Sequence, residues 1–261
     1  MQYGICLMSI IPCRKEPSST SEMVTQLLFG EHYEVKEMTS GWVRIETAID
    51  HYACWISEKQ HAPISSTQFE YLQHNEVPVS GELIYILADN VGKRTFPISI
   101  GCKLPFLNPN SPFHSTTFNY SYDGQVVTPG VKNSVQNLVS SAFLFLNAPY
   151  LWGGRGPFGI DCSGFTQLTY RLNGYDLPRD AWQQALLGEA LSFVEEAQPG
   201  DLAFFDNAEG KITHVGIVIG EGQIIHASGS VRIDRFDHYG IHHTENKQYT
   251  HNLRVIKRII Y

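Results

Sequence analysis

Short apolar runs separated by polar punctuation dominate the first sixty residues: YGICLMSII, HYEVKEM, GWVRIET and YACWIS are rich in β-branched and aromatic side chains. Runs of that length predict strands, so residues 1–60 read as a small all-β unit. Between them SEMVTQLLFGE fits a helix or a strand, because periodicity alone does not separate the two. Residues 78–128 repeat the texture in GELIYILAD, RTFPISIGCKL and TFNYSYDGQVV, with PFLNPNSPF a loop by its proline and asparagine content. Two β-modules in series are expected, over 1–60 and 61–129.

At residue 130 the pattern changes. In TPGVKNSVQNLVSSAFLFLNAPY, apolar residues recur at Val131, Val135, Leu138, Val139, Phe143 and Leu146, a helical spacing after a Pro-Gly start. The glycine-rich turn PYLWGGRGPFGI leads into CSGFTQLTYRLNGYDLP, a second helix that begins at Cys162 and stops at Asn173-Gly174. RDAWQQALLGEAL predicts a third, capped by Asp180. After QPGD the strands return: LAFFD, THVGIVIG, QIIHAS, VRIDRF and LRVIKRII. Helices followed by antiparallel strands predict an α+β domain over 130–261.

Composition narrows the function classes. With 261 residues, 43% hydrophobic and 17% charged, the chain can bury more than one core. A net charge of -7 and the lack of any basic run argue against nucleic-acid partners. MQYGICLMSIIPCRKEP has no basic residues before its apolar run and no small-residue cleavage site after it. It reads as a first strand, and no stretch reaches the length of a membrane span. The five cysteines, Cys6, Cys13, Cys54, Cys102 and Cys162, form no close CxxC pair, so neither a disulfide framework nor a zinc site is expected. Free thiols suit a reducing, cytoplasmic location; no cofactor is called for, and the oligomeric state is open.

One cysteine stands apart. A thiol in the first turn of a helix meets unpaired N–H groups and the positive end of the macrodipole, which lower its pKa and favour thiolate, against the opposing charge of Asp161. Gly164 leaves room for a substrate to approach the backbone. The bases within reach of strand geometry are His214 in THVGIVIG and His226 in IIHASG. If GEG at 220–222 is a three-residue hairpin loop with Gly222 left-handed, Ile219 faces Gln223 and Gly216 faces His226. His214 then shares a face with His226 at a diagonal, where one imidazole can orient the other. A loop one residue different separates them. Cys6, Cys13, Cys54 and Cys102 read as small core residues. His238, His242, His243 and His251 read as a solvated segment rather than a metal site. Trp42, Trp55 and Tyr52 read as barrel core or rim.

The segment APYLWGGRGPFGIDCSGFTQLTYRLNGYDLPRDAWQQ, followed by QPGDLAFFD and ITHVGIVIGEGQIIHASGSVRID, resembles the NlpC-type, papain-like cysteine peptidase domain of cell-wall hydrolases. The upstream GWVRIE, YACWI and IGCKLP resemble the bacterial SH3-type modules that precede this domain in γ-D-glutamyl-L-diamino-acid endopeptidases. The resemblance implies Cys162 as nucleophile, His214 as general base and then acid, and His226 as the third polar residue. It implies that Asp161 faces the substrate's N-terminal ammonium, with Ser163 in the same subsite and Tyr150 donating to the scissile carbonyl. Tyr52 matches an aromatic position leaning into the cleft, although YACWI departs from the usual glycine-containing version, and Glu22 matches a second acidic contact. The implied partner is a peptidoglycan-derived peptide, L-Ala-γ-D-Glu-diamino acid. Two rival readings are an amidase or acyltransferase on the same scaffold and a wall-binding protein without catalysis.

Overall fold

The computed structural model describes residues 2–113, 118–128 and 131–260. It divides into two compact units, Met1–Val131 and Lys132–Tyr261.

In the first unit, β1 (Gln2–Ile5), β2 (Ile10–Arg14), β3 (Met23–Leu28), β4 (His32–Thr39), β5 (Trp42–Thr47), β6 (Ala53–Ser57) and β7 (Ala62–Ile64) form one sheet, ordered β3-β2-β6-β5-β4-β1-β7. The ambiguous SEMVTQLL is strand β3, with Thr25, Gln26, Leu27 and Leu28 all buried in succession. Burial on both faces removes the alternation that would have marked it as a strand. Cys6, Ile11, Cys13, Leu27, Tyr33, Val43, Ile45, Cys54 and Ile56 make the core, and Tyr52 packs against its edge, partly buried.

Helix α1 (Ser66–His74) follows, started by a capping box between Ser65 and Gln68. Next come β8 (Val79–Ser80), β9 (Ile84–Asp89), β10 (Arg94–Ser99), β11 (Tyr120–Ser121) and β12 (Val126–Val127), paired as β10-β9-β11 and β12-β8. Phe29, after β3, meets the rings of Phe96, Phe106 and Tyr120, so these later strands share packing with the first sheet.

The second unit opens with α2 (Val135–Phe143), whose N-cap is Ser134, its hydroxyl accepting from the Asn137 N–H. The expected Pro129-Gly130 start lies outside the described residues. Leu138 and Ala142 face inward, while Phe143 and Leu146 of the expected stripe are exposed. The short hairpin β13 (Arg155–Gly156) and β14 (Gly159–Ile160) delivers the chain to α3 (Cys162–Arg171). All ten residues of α3 are buried, and Gly174, at φ 82°, marks the chain's exit. Phe165 and Leu168 are fully buried, each contributing about 1.5–3 kcal/mol.

The third helix is shorter than its sequence suggests. Helix α4 spans only Ala181–Gln184, because Leu186 and Leu187 beyond it point to solvent and Gly188 turns left-handed.

Strands β15 (Glu189–Ala190), β16 (Leu202–Asp206), β17 (Ile212–Gly220), β18 (Gln223–Ser228), β19 (Ser230–Asp237), β20 (Gly240–His243) and β21 (Gln248–Arg258) make the main sheet. β21 pairs with both β16 and β20, so β16 to β21 close into an antiparallel barrel. Its interior holds Ala203, Phe205, Val218, Ile224, Phe236, Ile241 and Ile256. α3 packs against β17 and β18. The unit is α+β as its order of elements implies.

Candidate active site

The β17–β18 register decides whether two histidines meet. Gly216 pairs with His226, but Gln223 pairs with Gly220 rather than Ile219, across an irregularity after Val218. The turn is therefore a two-residue Glu221-Gly222 turn, with φ of 52° and 67°, and Ile219 is the extra, bulged residue. A tighter turn plus one bulge adds up to the same count as the expected three-residue loop. His214 and His226 consequently share a face.

Their rings meet edge to face, centroids 5.1 Å apart at 85°, and His214 Nε2 lies 2.8 Å from His226 Nδ1. His226 Nε2 lies 3.1 Å from Asp234 Oδ2 on β19. Asp234 also accepts from Arg232 Nε at 2.8 Å and, at Oδ1, from the Thr244 N–H at 2.8 Å. Burial pushes the Asp234 carboxyl up, but the hydrogen bonds from His226, Thr244 and Arg232 outweigh it and hold the group well below the usual carboxylate range.

Cys162 is the first residue of α3, and Asp161 is its N-cap. Its Sγ points to the carbonyl oxygen of Thr213, 4.0 Å away, one residue before His214. Burial and the Asp161 charge push the thiol up to about 12, against lowering contributions from the Val215 N–H, Arg179 and the Ser163 N–H. The expected thiolate is thus not the resting form. A helix N-terminus contributes about 0.3–1 kcal/mol, whereas full burial moves a pKa by up to about 3–5 units, or several kcal/mol. Burial also pulls His214 well below 6.5, helped by repulsion from His226 and His251. Both shifts favour the uncharged forms, thiol and neutral imidazole.

His251 of β21 is half-buried and stacks on His214, centroids 4.1 Å apart at 27°. It belongs to the site's wall rather than to the solvated segment in which its sequence neighbours place it. Only closure of the barrel brings β21 to this position, and no local spacing signals that. Burial, then His226, lowers His251 to about 4.

Asp161 is buried and accepts hydrogen bonds at both oxygens. Its Oδ1 accepts from the Gly164 N–H at 2.7 Å and from Arg179 Nη1 at 3.0 Å; its Oδ2 accepts from the Gly153 N–H at 2.8 Å and from Arg179 Nη2 at 2.5 Å. Arg179 also donates to Ser163 Oγ at 2.9 Å and is 1% exposed. The sequence reading missed Arg179, which sits in LPRDAW without a motif spacing of its own. Gly164 serves packing rather than substrate access: a Cβ there would lie 2.5 Å from the Gly154 carbonyl oxygen and 3.0 Å from Asp161 Oδ1. Tyr150 is half-buried near Cys162 and Asp161; burial, then those two acidic groups, pushes its hydroxyl up to about 12.

Tyr52 and Glu22 belong to the Met1–Val131 unit. The Tyr52 carbonyl accepts from the Thr47 N–H, and the Tyr52 N–H donates to the Thr47 hydroxyl. Glu22 pairs with Lys15 at 3.2 Å on an exposed surface. Among the described residues no cluster of histidine, cysteine or acidic side chains has a metal-holding arrangement, and no helix is long and apolar enough to cross a membrane.

Residues 147–255 match the NlpC/P60 family, and residues 13–60 match the bacterial dipeptidyl-peptidase Sh3 domain. A gamma-D-glutamyl-L-lysine dipeptidyl-peptidase of Bacillus subtilis (strain 168) is 31% identical over 217 residues, covering 78% of this chain and 71% of that protein. The chain belongs to the NlpC/P60 family. That membership and the dipeptidyl-peptidase relatives make it a cysteine peptidase. A protein of the same name in Bacillus cereus (strain ATCC 10987 / NRS 248) is 28% identical, covering 82% of this chain and 70% of that one. An NlpC/P60 family crystal structure from Bacillus cereus ATCC 10987 shares the fold at a TM-score of 0.78, with 22% identity over 98% of this chain and 99% of that one.

Proposed function

We propose that this NlpC/P60 peptidase hydrolyses the γ-D-glutamyl bond to the diamino acid in cell-wall peptides whose L-alanine amino group is free, acting in muropeptide recycling. The observation that carries the reading is the buried His214–His226 pair on one face of β17–β18, with Cys162 starting α3 and its sulfur facing the Thr213 carbonyl, one residue before His214. The names of the Bacillus relatives support the bond, and the Sh3 match in the first unit supports the cell-wall peptide class.

Attack begins when the Cys162 thiol passes its proton to His214 and the sulfur adds to the γ-carbonyl carbon of D-glutamate. Collapse of the tetrahedral intermediate breaks the C–N bond, and the His214 imidazolium gives its proton to the departing amine. Water, deprotonated by His214, then hydrolyses the thioester and restores the thiol. Because thiol and imidazole both start neutral, charge appears only as the reaction proceeds, and groups that stabilise it then raise kcat.

In this reading Asp161 and Ser163 line the amino-terminal subsite, with Asp161 held by Arg179, and Tyr150 donates to the scissile carbonyl. The resemblance also assigns Tyr52 and Glu22 to substrate recognition, and substitution kinetics test that assignment. The chain is read as two SH3-type modules, 1–60 and 61–129, ahead of the peptidase domain 130–261. A cytoplasmic location follows from five unpaired cysteines, all buried.

The test pairs two peptides, L-Ala-γ-D-Glu-L-Lys and its N-acetylated form, with products identified by mass. Release of free lysine from the first alone supports the proposal. Equal cleavage of both removes the free-amine requirement, and cleavage of neither removes the substrate.

A further inference from the structure

We propose that Asp234 and Arg232 are positioning residues that fix the proton arrangement of the two histidines, so that His214 presents a bare Nδ1 to the Cys162 thiol. The argument rests on which atoms can donate. Asp234 is an acceptor only, and its partners are all donors: His226 Nε2, Arg232 Nε and Nη2, and the Thr244 N–H. His226 therefore carries its hydrogen on Nε2. A neutral ring then has a lone pair on Nδ1, which is the atom 2.8 Å from His214 Nε2. That bond forces the hydrogen of His214 onto Nε2 and leaves its Nδ1 unprotonated, ready to take the thiol proton.

A cationic His226 would donate from both nitrogens and force the hydrogen of His214 onto Nδ1. Arg232 guards against that state. Its guanidinium grips Asp234 through two nitrogens, at 2.8 and 3.3 Å, so the carboxylate already has a cationic partner. The groups facing His226 are His214 from β17, Asp234 and Arg232 from β19, His243 from β20 and His251 from β21. Asp234 is the one anion among them. Burial, with Arg232 and His243 adding to it against the pull of Asp234, keeps His226 below 6.5.

The proposal refines the peptidase reading, yet its first test needs no turnover. Nitrogen-15 spectra of the whole protein at pH 7, with the rings assigned through single histidine variants, report which nitrogens carry hydrogen. The expected pattern is a protonated Nε2 and bare Nδ1 on both His214 and His226. A protonated Nδ1 on His214 overturns the proposal even if the peptide is cleaved, whereas the expected pattern without cleavage overturns the substrate reading alone.

Asp234→Asn supplies the second arm. Keeping its carbonyl toward the Thr244 N–H turns its NH2 toward His226, reversing both tautomers. The expected result is His214 protonated at Nδ1 and a fall in kcat of up to about 10⁴-fold, as when an Asp→Asn change forces a catalytic histidine into the wrong tautomer, with KM little changed. A folded Asp234→Asn protein with native tautomers and native kcat overturns the proposal. Arg232→Met frees Asp234 to stabilise a cationic His226, so the acid limb of kcat moves to higher pH. An unmoved limb overturns the part assigned to Arg232.

Discussion

The four cysteines of Met1–Val131 and Cys162 of Lys132–Tyr261 are all buried, at 0–2% and 5% exposure. Burial pushes up the thiols of Cys6, of Cys102, to about 11, and of Cys162, to about 12. Neither burial nor pKa direction therefore marks the nucleophile. The neighbours do. The Cys6 and Cys13 sulfurs point to backbone carbonyls inside a strand core, whereas Cys162 starts a helix beside two backbone N–H groups and a guanidinium, its sulfur facing the residue just before His214. Under the proposed mechanism, the Cys162 thiol starts neutral and gives up its proton as the sulfur attacks.

Cys162→Ala tests that contrast most severely. Hydrolysis should fall by at least about 10³-fold, while Cys13→Ala leaves kcat/KM within about twofold and costs about 1 kcal/mol of stability. Steady-state kinetics and urea unfolding read both, and appreciable turnover by Cys162→Ala would sink the nucleophile assignment.

The two units also differ in their ion pairs. Arg179→Met strands the Asp161 carboxylate in a buried site and should cost about 3–5 kcal/mol. Glu22→Gln removes the exposed partner of Lys15 and should cost less than about 1 kcal/mol. Chemical unfolding of the two variants gives the ratio, and equal losses would erase the distinction.

A milder effect comes from pH. His214 is held well below 6.5 by burial, so the acid limb of kcat/KM should lie below pH 6.5. A limb above that value would mean a solvated ring. His251, lowered to about 4, takes up its proton more readily unfolded than folded between pH 6.5 and 4. Stability should therefore fall as pH drops through that window, and level off below it. His251→Gln should flatten the slope of Tm against pH, and an unchanged slope would remove His251 as its source.

Much of this was legible in the residues. The start of α3 at Cys162 and its exit at Gly174 were legible because a left-handed exit is local chemistry; the cap supplied by Asp161 was not read. The facing of Gly216 and His226 came from counting across a turn, and survived an error in the turn type because the bulged Ile219 restored the count. What stayed hidden is non-local. His251 enters the site only because β21 pairs with both β16 and β20, and Arg179 reaches Asp161 from beyond the end of α3. Strand β3 was ambiguous because both its faces are covered. Helix α4 was overestimated because the leucines after it remain exposed.

The complete burial of α3 leaves the nucleophile a single free motion, the swing of its sulfur about one bond while the backbone beneath it is clamped. Trapping by an alkylating reagent should thus be limited by how often that swing exposes the sulfur, and a bound peptide that holds it outward would speed the labelling rather than block it.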